Sequence, residues 1–254
     1  MKQSQFYYLL RRGLFNAGSA IIKNGLVMFN KFTTAGISHP AQGSAEFNGT
    51  SDYIQLNDPF SHTSHTIAAW VYVQDDGGSK EIFNALDAAD DGIRLVAKSN
   101  EIMRYSVNTA DAEASVAYVD EWVYAVGTYD GTTQKFYVNG SLEDSNTTSQ
   151  TISVTNNAII GARSYSSLVN NFDGNLANVA IWNRALSSDE INSVMWKSYE
   201  VLTGAESNGL QAWYSLDDIT SPAASLANME QLATDKNATI ENKAAITAAI
   251  NALS

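Results

Sequence analysis

Along the middle of the chain, apolar and polar positions alternate with a period of two. From Thr66 to Gln74, Ile67, Ala69, Val71 and Val73 share one face, and Ala68, Trp70 and Tyr72 share the other. Successive strand residues point to opposite sides of a sheet, so a run that is apolar on both faces predicts a central strand covered on both sides. Trp122 to Tyr129 and Gln134 to Val138 are further β-rich runs. Leu176 to Asn183 alternates again, with Val179 and Ile181 on one face and Ala180 and Trp182 on the other. Asp75-Asp76-Gly77-Gly78, Asp130-Gly131 and Asn139-Gly140 separate these runs. The last two predict hairpins in which both turn residues take positive φ. Short strands with turn signals between them predict a sandwich or a barrel.

After Asn183 the period changes. Ser187 and Glu190 form an S-x-x-E capping box, in which each side chain satisfies an orphan backbone N–H. Leu186 and Ile191 supply the matching hydrophobic staple, and Ile191, Val194 and Met195 make one apolar helical stripe. Further on, Ser221-Pro222 reads as a helix entry. Thr239 caps a second candidate helix, with Ile246, Ala249, Ile250 and Leu253 on one stripe.

Composition narrows the function classes. Apolar residues make up 44% of the 254 and charged residues 17%, which excludes a wholly disordered chain. A net charge of −12 argues against general nucleic-acid binding, which needs a cationic surface. With no cysteine, a disulfide, a thiolate nucleophile and a cysteine metal cluster are all excluded. No apolar run approaches the length of a membrane span. The apolar start is broken by Arg11-Arg12, so no signal peptide is expected.

Several segments in order carry a resemblance. They are Phe47-Asn48-Gly49 to Asp52-Tyr53-Ile54, Ile67-Ala68-Ala69-Trp70-Val71, and Trp122 leading to Gly127-Thr128-Tyr129-Asp130-Gly131. Phe136 to Gly140, Ile159-Ile160-Gly161, Phe172-Asp173-Gly174 and Ala180 to Ser187 follow. Together, over residues 45–200, they resemble the laminin-G-like branch of the concanavalin A-like jelly rolls. The resemblance implies an all-β fold, a two-sheet antiparallel jelly-roll sandwich, here with short terminal helices. Leu26 to Phe29 and Leu210 to Leu216 resemble edge strands that close such a domain. The expected organisation is an N-terminal anchor or assembly segment at 1–24, the sandwich at 25–219 with its core at 45–200, and a helical tail at 220–254.

Glycosidases on this fold carry acids at alternate positions of one strand. No Glu-x-Asp-x-Glu pattern stands out, and Glu81 and Asp87 are too far apart to share a strand face in that way. Walker A, GxGxxG, G-x-S-x-G and H-E-x-x-H motifs are missing, so a non-enzyme is expected. Many relatives hold a structural Ca²⁺ at the sandwich rim, and by motif match its ligands here would be Asp52 and Asp173; otherwise no cofactor is expected. Against calcium stands Ala177-Asn178, where relatives often carry an acid; both aspartates also suit turns that bond their own backbone. His62 and His65, three apart, read as a solvated loop. Asp87 to Gly92 reads as a turn into the next strand. Tyr53, Tyr105, Tyr118 and Tyr165 are the near-loop aromatics that could stack on a sugar ring.

Phe6, Tyr7, Tyr8, Arg11 and Arg12 form a basic, aromatic start on an acidic chain and suit an assembly interface. The leading expectation is a non-enzymatic structural and recognition module displayed on a bacteriophage virion as a capsid decoration, head fibre or tail appendage. Its partners would be other virion proteins, copies of itself or a host-surface glycan, with no nucleic acid and no membrane insertion. The alternative is a bacterial carbohydrate-binding or adhesion module at the cell surface; a glycosidase ranks third.

Overall fold

The computed structural model describes residues 21–23, 26–28 and 43–216, apart from 57, 58, 75, 76, 88, 90 and 165–167. Phe6, Tyr7, Tyr8, Arg11, Arg12, Tyr165 and both helices expected after residue 220 lie outside the described residues. The chain divides into two units, residues 1–38 and 39–254. In the first, β1 (Ile21–Lys23) and β2 (Leu26–Met28) pair antiparallel. Leu26–Met28, part of the run expected as a closing edge of the sandwich, is the strand that pairs with β1.

The second unit contains β3 (Ala45–Asn48), β4 (Ile54–Gln55), β5 (His65–Val73), β6 (Lys80–Leu86), β7 (Gly92–Ala97) and β8 (Ile102–Val107). They are followed by β9 (Ala110–Ala117), β10 (Trp122–Tyr129), β11 (Thr133–Val138), β12 (Ser141–Thr147) and β13 (Ile159–Ile160). The last elements are β14 (Arg163–Ser164), β15 (Leu168–Val169), β16 (Asp173–Trp182), α1 (Ser188–Val194) and β17 (Leu210–Tyr214). A seven-stranded sheet runs β12-β11-β10-β5-β16-β17, with β3 also on β16, and a six-stranded sheet runs β4-β13-β6-β7-β8-β9. All pairings are antiparallel, so the fold is the expected all-β sandwich. Among the described residues no helix is long and apolar enough to cross a membrane.

The two-faced pattern of β5 follows from the two apolar layers it separates. Ile67, Ala69, Val71 and Val73 join Val179, Ile181 and Phe136 in the core between the sheets, facing Phe83, Leu95 and Met103. Ala68 and Trp70 face outward into a second cluster with Tyr124, Trp182 and Trp213, which Leu186, Ile191, Val194 and Met195 cover. With seven residues, α1 could not persist alone; burying Ile191 and Val194, at roughly 1.5–3 kcal/mol each, holds it on the sheet. The capping box forms as expected: Glu190 N donates to Ser187 Oγ (3.3 Å) and Ser187 N to Glu190 Oε2 (2.9 Å). The forked contact from Arg184 (2.7 and 3.0 Å), with the bonds from Ser187, outweighs burial and pulls the Glu190 carboxyl down to about 2.

The hairpin at Asn139-Gly140 has positive φ at both residues (51° and 80°). At Asp130-Gly131 only Gly131 has it (99°). There Asp130 Oδ1 accepts from Thr132 N (2.9 Å) and Thr133 N (2.7 Å), so the side chain closes a longer turn in place of a left-handed backbone. Along one flank of the sandwich, side chains of β12 occupy the free edge of β9. Ser115 N donates to Glu143 Oε2 (3.0 Å) and Glu113 N to Asp144 Oδ2 (3.2 Å), which blocks edge-to-edge pairing with another chain.

The histidine stretch departs from the expected solvated loop. His65 opens β5 and is fully buried, 5.8 Å from the Tyr129 ring and 6.0 Å from the Tyr105 ring, centroid to centroid. Its Nδ1 lies 3.2 Å from the His62 carbonyl, which can only accept, so Nδ1 carries the proton. Nε2 then accepts from the Tyr105 hydroxyl at 2.5 Å. Both ring nitrogens are satisfied, which is why the ring can leave water.

Candidate functional site

At one end of the seven-stranded sheet, four strands place side chains in a row on the outer face. Trp122 on β10 pairs with Tyr72 on β5, Tyr72 with Asn175 on β16, and Asn175 with Glu46 on β3. Residues directly opposite each other project to the same side of a sheet. Trp122, Tyr72 and Asn175 are half-buried and Glu46 is exposed. The Tyr72 and Trp122 ring centroids are 5.8 Å apart. Asn175 Nδ2 donates to Ser44 Oγ (3.3 Å).

One step inward, Tyr124 pairs with Trp70, with ring centroids 5.4 Å apart. These two rings are buried, and burial pushes the Tyr124 phenol up. Trp70 Nε1 donates to the Met195 carbonyl (3.0 Å), and Trp196, 44% exposed, lies 5.3 Å from the Trp70 ring. The segment after α1 thus covers the inner aromatic pair. The outer pair places two half-buried rings beside an amide and a carboxylate. Such a surface suits an amphipathic ligand with an apolar face and polar rim groups, which is the chemistry of a sugar ring.

Three of the sequence-derived candidates, Tyr105, Tyr118 and Tyr53, lie elsewhere. Tyr105 is fully buried in the inter-sheet core with its hydroxyl on His65, so it has no face to offer a sugar; the expectation is corrected by the position of β8 inside the sandwich. Tyr118 is half-buried against that same core, and its hydroxyl donates to Glu143 Oε1 (3.4 Å). Burial, with the neighbouring Glu143 carboxylate, pushes its phenol up. Tyr53 is half-buried just before β4. None of these three joins the Trp122–Tyr72 row.

Asp52 and Asp173 do meet at one turn. Asn48 N donates to Asp52 Oδ2 (3.1 Å), and a Cβ added at Gly49 (φ 69°) would lie 3.0 Å from Asp173 Cβ and 3.1 Å from its Oδ2. Asn48 Oδ1 also accepts from Thr50 N and Ser51 N, both at 2.9 Å. Calcium takes six to eight oxygens, and among the described residues no group of three His, Asp or Glu side chains could hold a metal ion. Asn178, where relatives often carry an acid, is buried and accepts from Trp213 Nε1 (3.3 Å). The turn itself accounts for the Asn48–Asp52 contact.

A glycosidase pair fares no better. Asp111 and Glu113, two apart on β9, are alternate acids on one strand. Asp111 receives Arg104 Nη1 (3.1 Å) and Ser106 Oγ (2.6 Å), and Glu113 receives Lys98 Nζ (2.9 Å), so both act as cross-strand ion-pair partners. Burial pushes the Glu81 carboxyl up against the pull of Arg94, but Glu81 is sealed from solvent and cannot reach a substrate.

A family model described as the concanavalin A-like lectin/glucanases superfamily matches residues 48–192, more than half of the chain. The chain belongs to this superfamily. Among solved structures, a Bacteroides ovatus protein whose name proposes carbohydrate binding is similar, with 16% identity and a TM-score of 0.59 over 70% of this chain. The superfamily domain described here spans 52% of that protein's length. The heptameric SAP-like pentraxin of Limulus polyphemus is similar over 62% of this chain and 83% of its own, with 16% identity and a TM-score of 0.51. At these identities the likeness concerns the fold. No curated protein matches the chain.

Trp122, Tyr72 and Trp196 were not among the sugar-stacking candidates of the sequence. One signal for the first two was present: Trp70-x-Tyr72 and Trp122-x-Tyr124 are alternating aromatic pairs on two strands.

Proposed function

We propose that this superfamily domain is a non-enzymatic carbohydrate-recognition module, in which sugar rings stack on Trp122 and Tyr72 and bond to Asn175 and Glu46. The observation that carries the proposal is the half-exposed aromatic pair continuing, on the same sheet face, into an amide and a carboxylate. Membership of a lectin and glucanase superfamily and the name of the Bacteroides protein support it. The ion-pairing of Asp111 and Glu113 and the sealing of Glu81 support binding without hydrolysis.

This is the second of the two leading readings raised by the sequence, and it suits display at a bacterial cell surface. The first, a phage virion surface protein anchored through Phe6, Tyr7, Tyr8, Arg11 and Arg12, draws on sequence resemblance alone. The test is a glycan array probed with the wild type and Trp122→Ala. Saturable binding to one glycan class that weakens about tenfold or more in the variant is expected, as for an aromatic at the centre of an interface. An array without binding, or binding indifferent to Trp122, would overturn the proposal.

A further inference from the structure

We propose that the Trp122–Glu46 row selects an extended, uncharged glycan chain laid across the strands and rejects anionic sugars; this rests on the carbohydrate-recognition reading above. The first argument is length. Neighbouring strands lie about 4.8 Å apart, so a row over four strands spans about 14 Å. That exceeds one sugar ring. Only the Trp122–Tyr72 end is aromatic; the Asn175–Glu46 end is polar. A single ring stacked on the aromatic end would leave Glu46 and Asn175 untouched, whereas a chain running across the strands engages both ends.

The second argument is charge. Glu46 is exposed at one end of the row, and Asp120 and Glu121, also exposed, lead into Trp122 at the other. Lys197, next to Trp196, is committed, its Nζ binding Glu206 Oε1 (2.5 Å), and the Arg184 backbone, whose carbonyl accepts from Thr66 Oγ1, stands six residues along β5 from Tyr72 and so about 20 Å away. Lys135 pairs with Thr128, six residues along β10 from Trp122 and so about 20 Å away. The whole chain carries −12. Among the described residues, a sugar carboxylate or sulfate in the row would therefore meet only like charge. Even at the dielectric of water, a like charge about 4 Å from Glu46 weakens binding about fivefold, and more where water is excluded. Neutral hydroxyls, by contrast, can donate to the Glu46 carboxylate and to Asn175 Oδ1, which accepts no hydrogen bond among the described residues.

The test uses the full chain on immobilised neutral hexose oligomers from mono- to hexasaccharide, with uronate, sulfated and sialylated oligomers beside them, for the wild type and Glu46→Gln. The expected result has three parts. Affinity rises from the monosaccharide to the trisaccharide. Anionic oligomers bind at least about fivefold more weakly than neutral ones of the same length. Glu46→Gln narrows that gap with unchanged melting. Wild-type preference for anionic oligomers, a gap unaltered in Glu46→Gln, or affinity that is complete at the monosaccharide would overturn this inference and leave carbohydrate recognition standing. A chain that binds none of the oligomers would overturn both.

Discussion

Acidification should destabilise this sandwich through His65. The ring is fully buried, and burial, the largest influence, lowers its pKa from 6.5 to about 4; the His62 carbonyl pulls the other way, and the His62 charge adds to the lowering. In the unfolded chain the imidazole binds a proton near pH 6.5, whereas in the folded chain it resists until about pH 4. Below pH 6.5 the unfolded state therefore holds more protons, and stability falls as pH falls towards 4. A shift of about 2.5 units at about 1.36 kcal/mol each gives a loss of about 3 kcal/mol. For a domain of this size that corresponds to a melting temperature lower by roughly 6–12 °C. The assay is thermal or urea unfolding at steps between pH 7 and pH 4 for the wild type and His65→Gln, which has no titrating ring. Glu190 and Glu206 do not confuse the window. Both carboxyls are held down at about 2, Glu190 chiefly by Arg184, and Glu206 by Lys197, Ser193 and Thr203 against the effect of burial. Their contribution is lost below pH 4.5, as pH falls through the folded value. A wild type as stable at pH 4.5 as at pH 7, or a His65→Gln variant with the same pH slope, would refute the reasoning.

Val179→Asp places an unpaired charge between the sheets at a fully buried position, at a cost of several kcal/mol; calorimetry should show cooperative melting lost or greatly lowered, and a parent-like melt would contradict the assignment of β16. EDTA should leave the melting temperature unchanged, because the Asp52 turn is closed by its own bonds, Asn48 N to Asp52 Oδ2 and Thr50 N and Ser51 N to Asn48 Oδ1. An EDTA-induced drop that disappears in Asp173→Ala would show that a metal sits there.

The strands around the core were legible because their period was strict. Ile67 to Val73 and Val179 to Trp182 show which face each residue takes, and the structure has them there. The Ser187 capping box was legible because it is local. The aromatic row was not, because it depends on register between strands distant in sequence: Trp122 meets Tyr72, and Asn175 meets Glu46, only once four strands have paired. Tyr105 misled because it reads as an aromatic near a loop, whereas β8 carries it into the core between the sheets. Its place was hinted at by Gly127, a glycine inside a strand: a Cβ there would lie 2.1 Å from Tyr105 Cδ2, so the ring fills the space that the missing side chain leaves. His65 misled because its polar neighbours read as a loop. What permits its burial, the Tyr105 hydroxyl and the His62 carbonyl, comes from tertiary contact and a local backbone turn.

The most direct test of carbohydrate recognition is a crystal structure of the domain soaked with the tightest-binding glycan from the array. The account predicts a sugar ring stacked on the Trp122–Tyr72 faces, with the chain continuing over Asn175 towards Glu46. Density for the glycan at the Asp52–Asp173 turn, or on any surface that leaves Trp122 and Tyr72 bare, would contradict it.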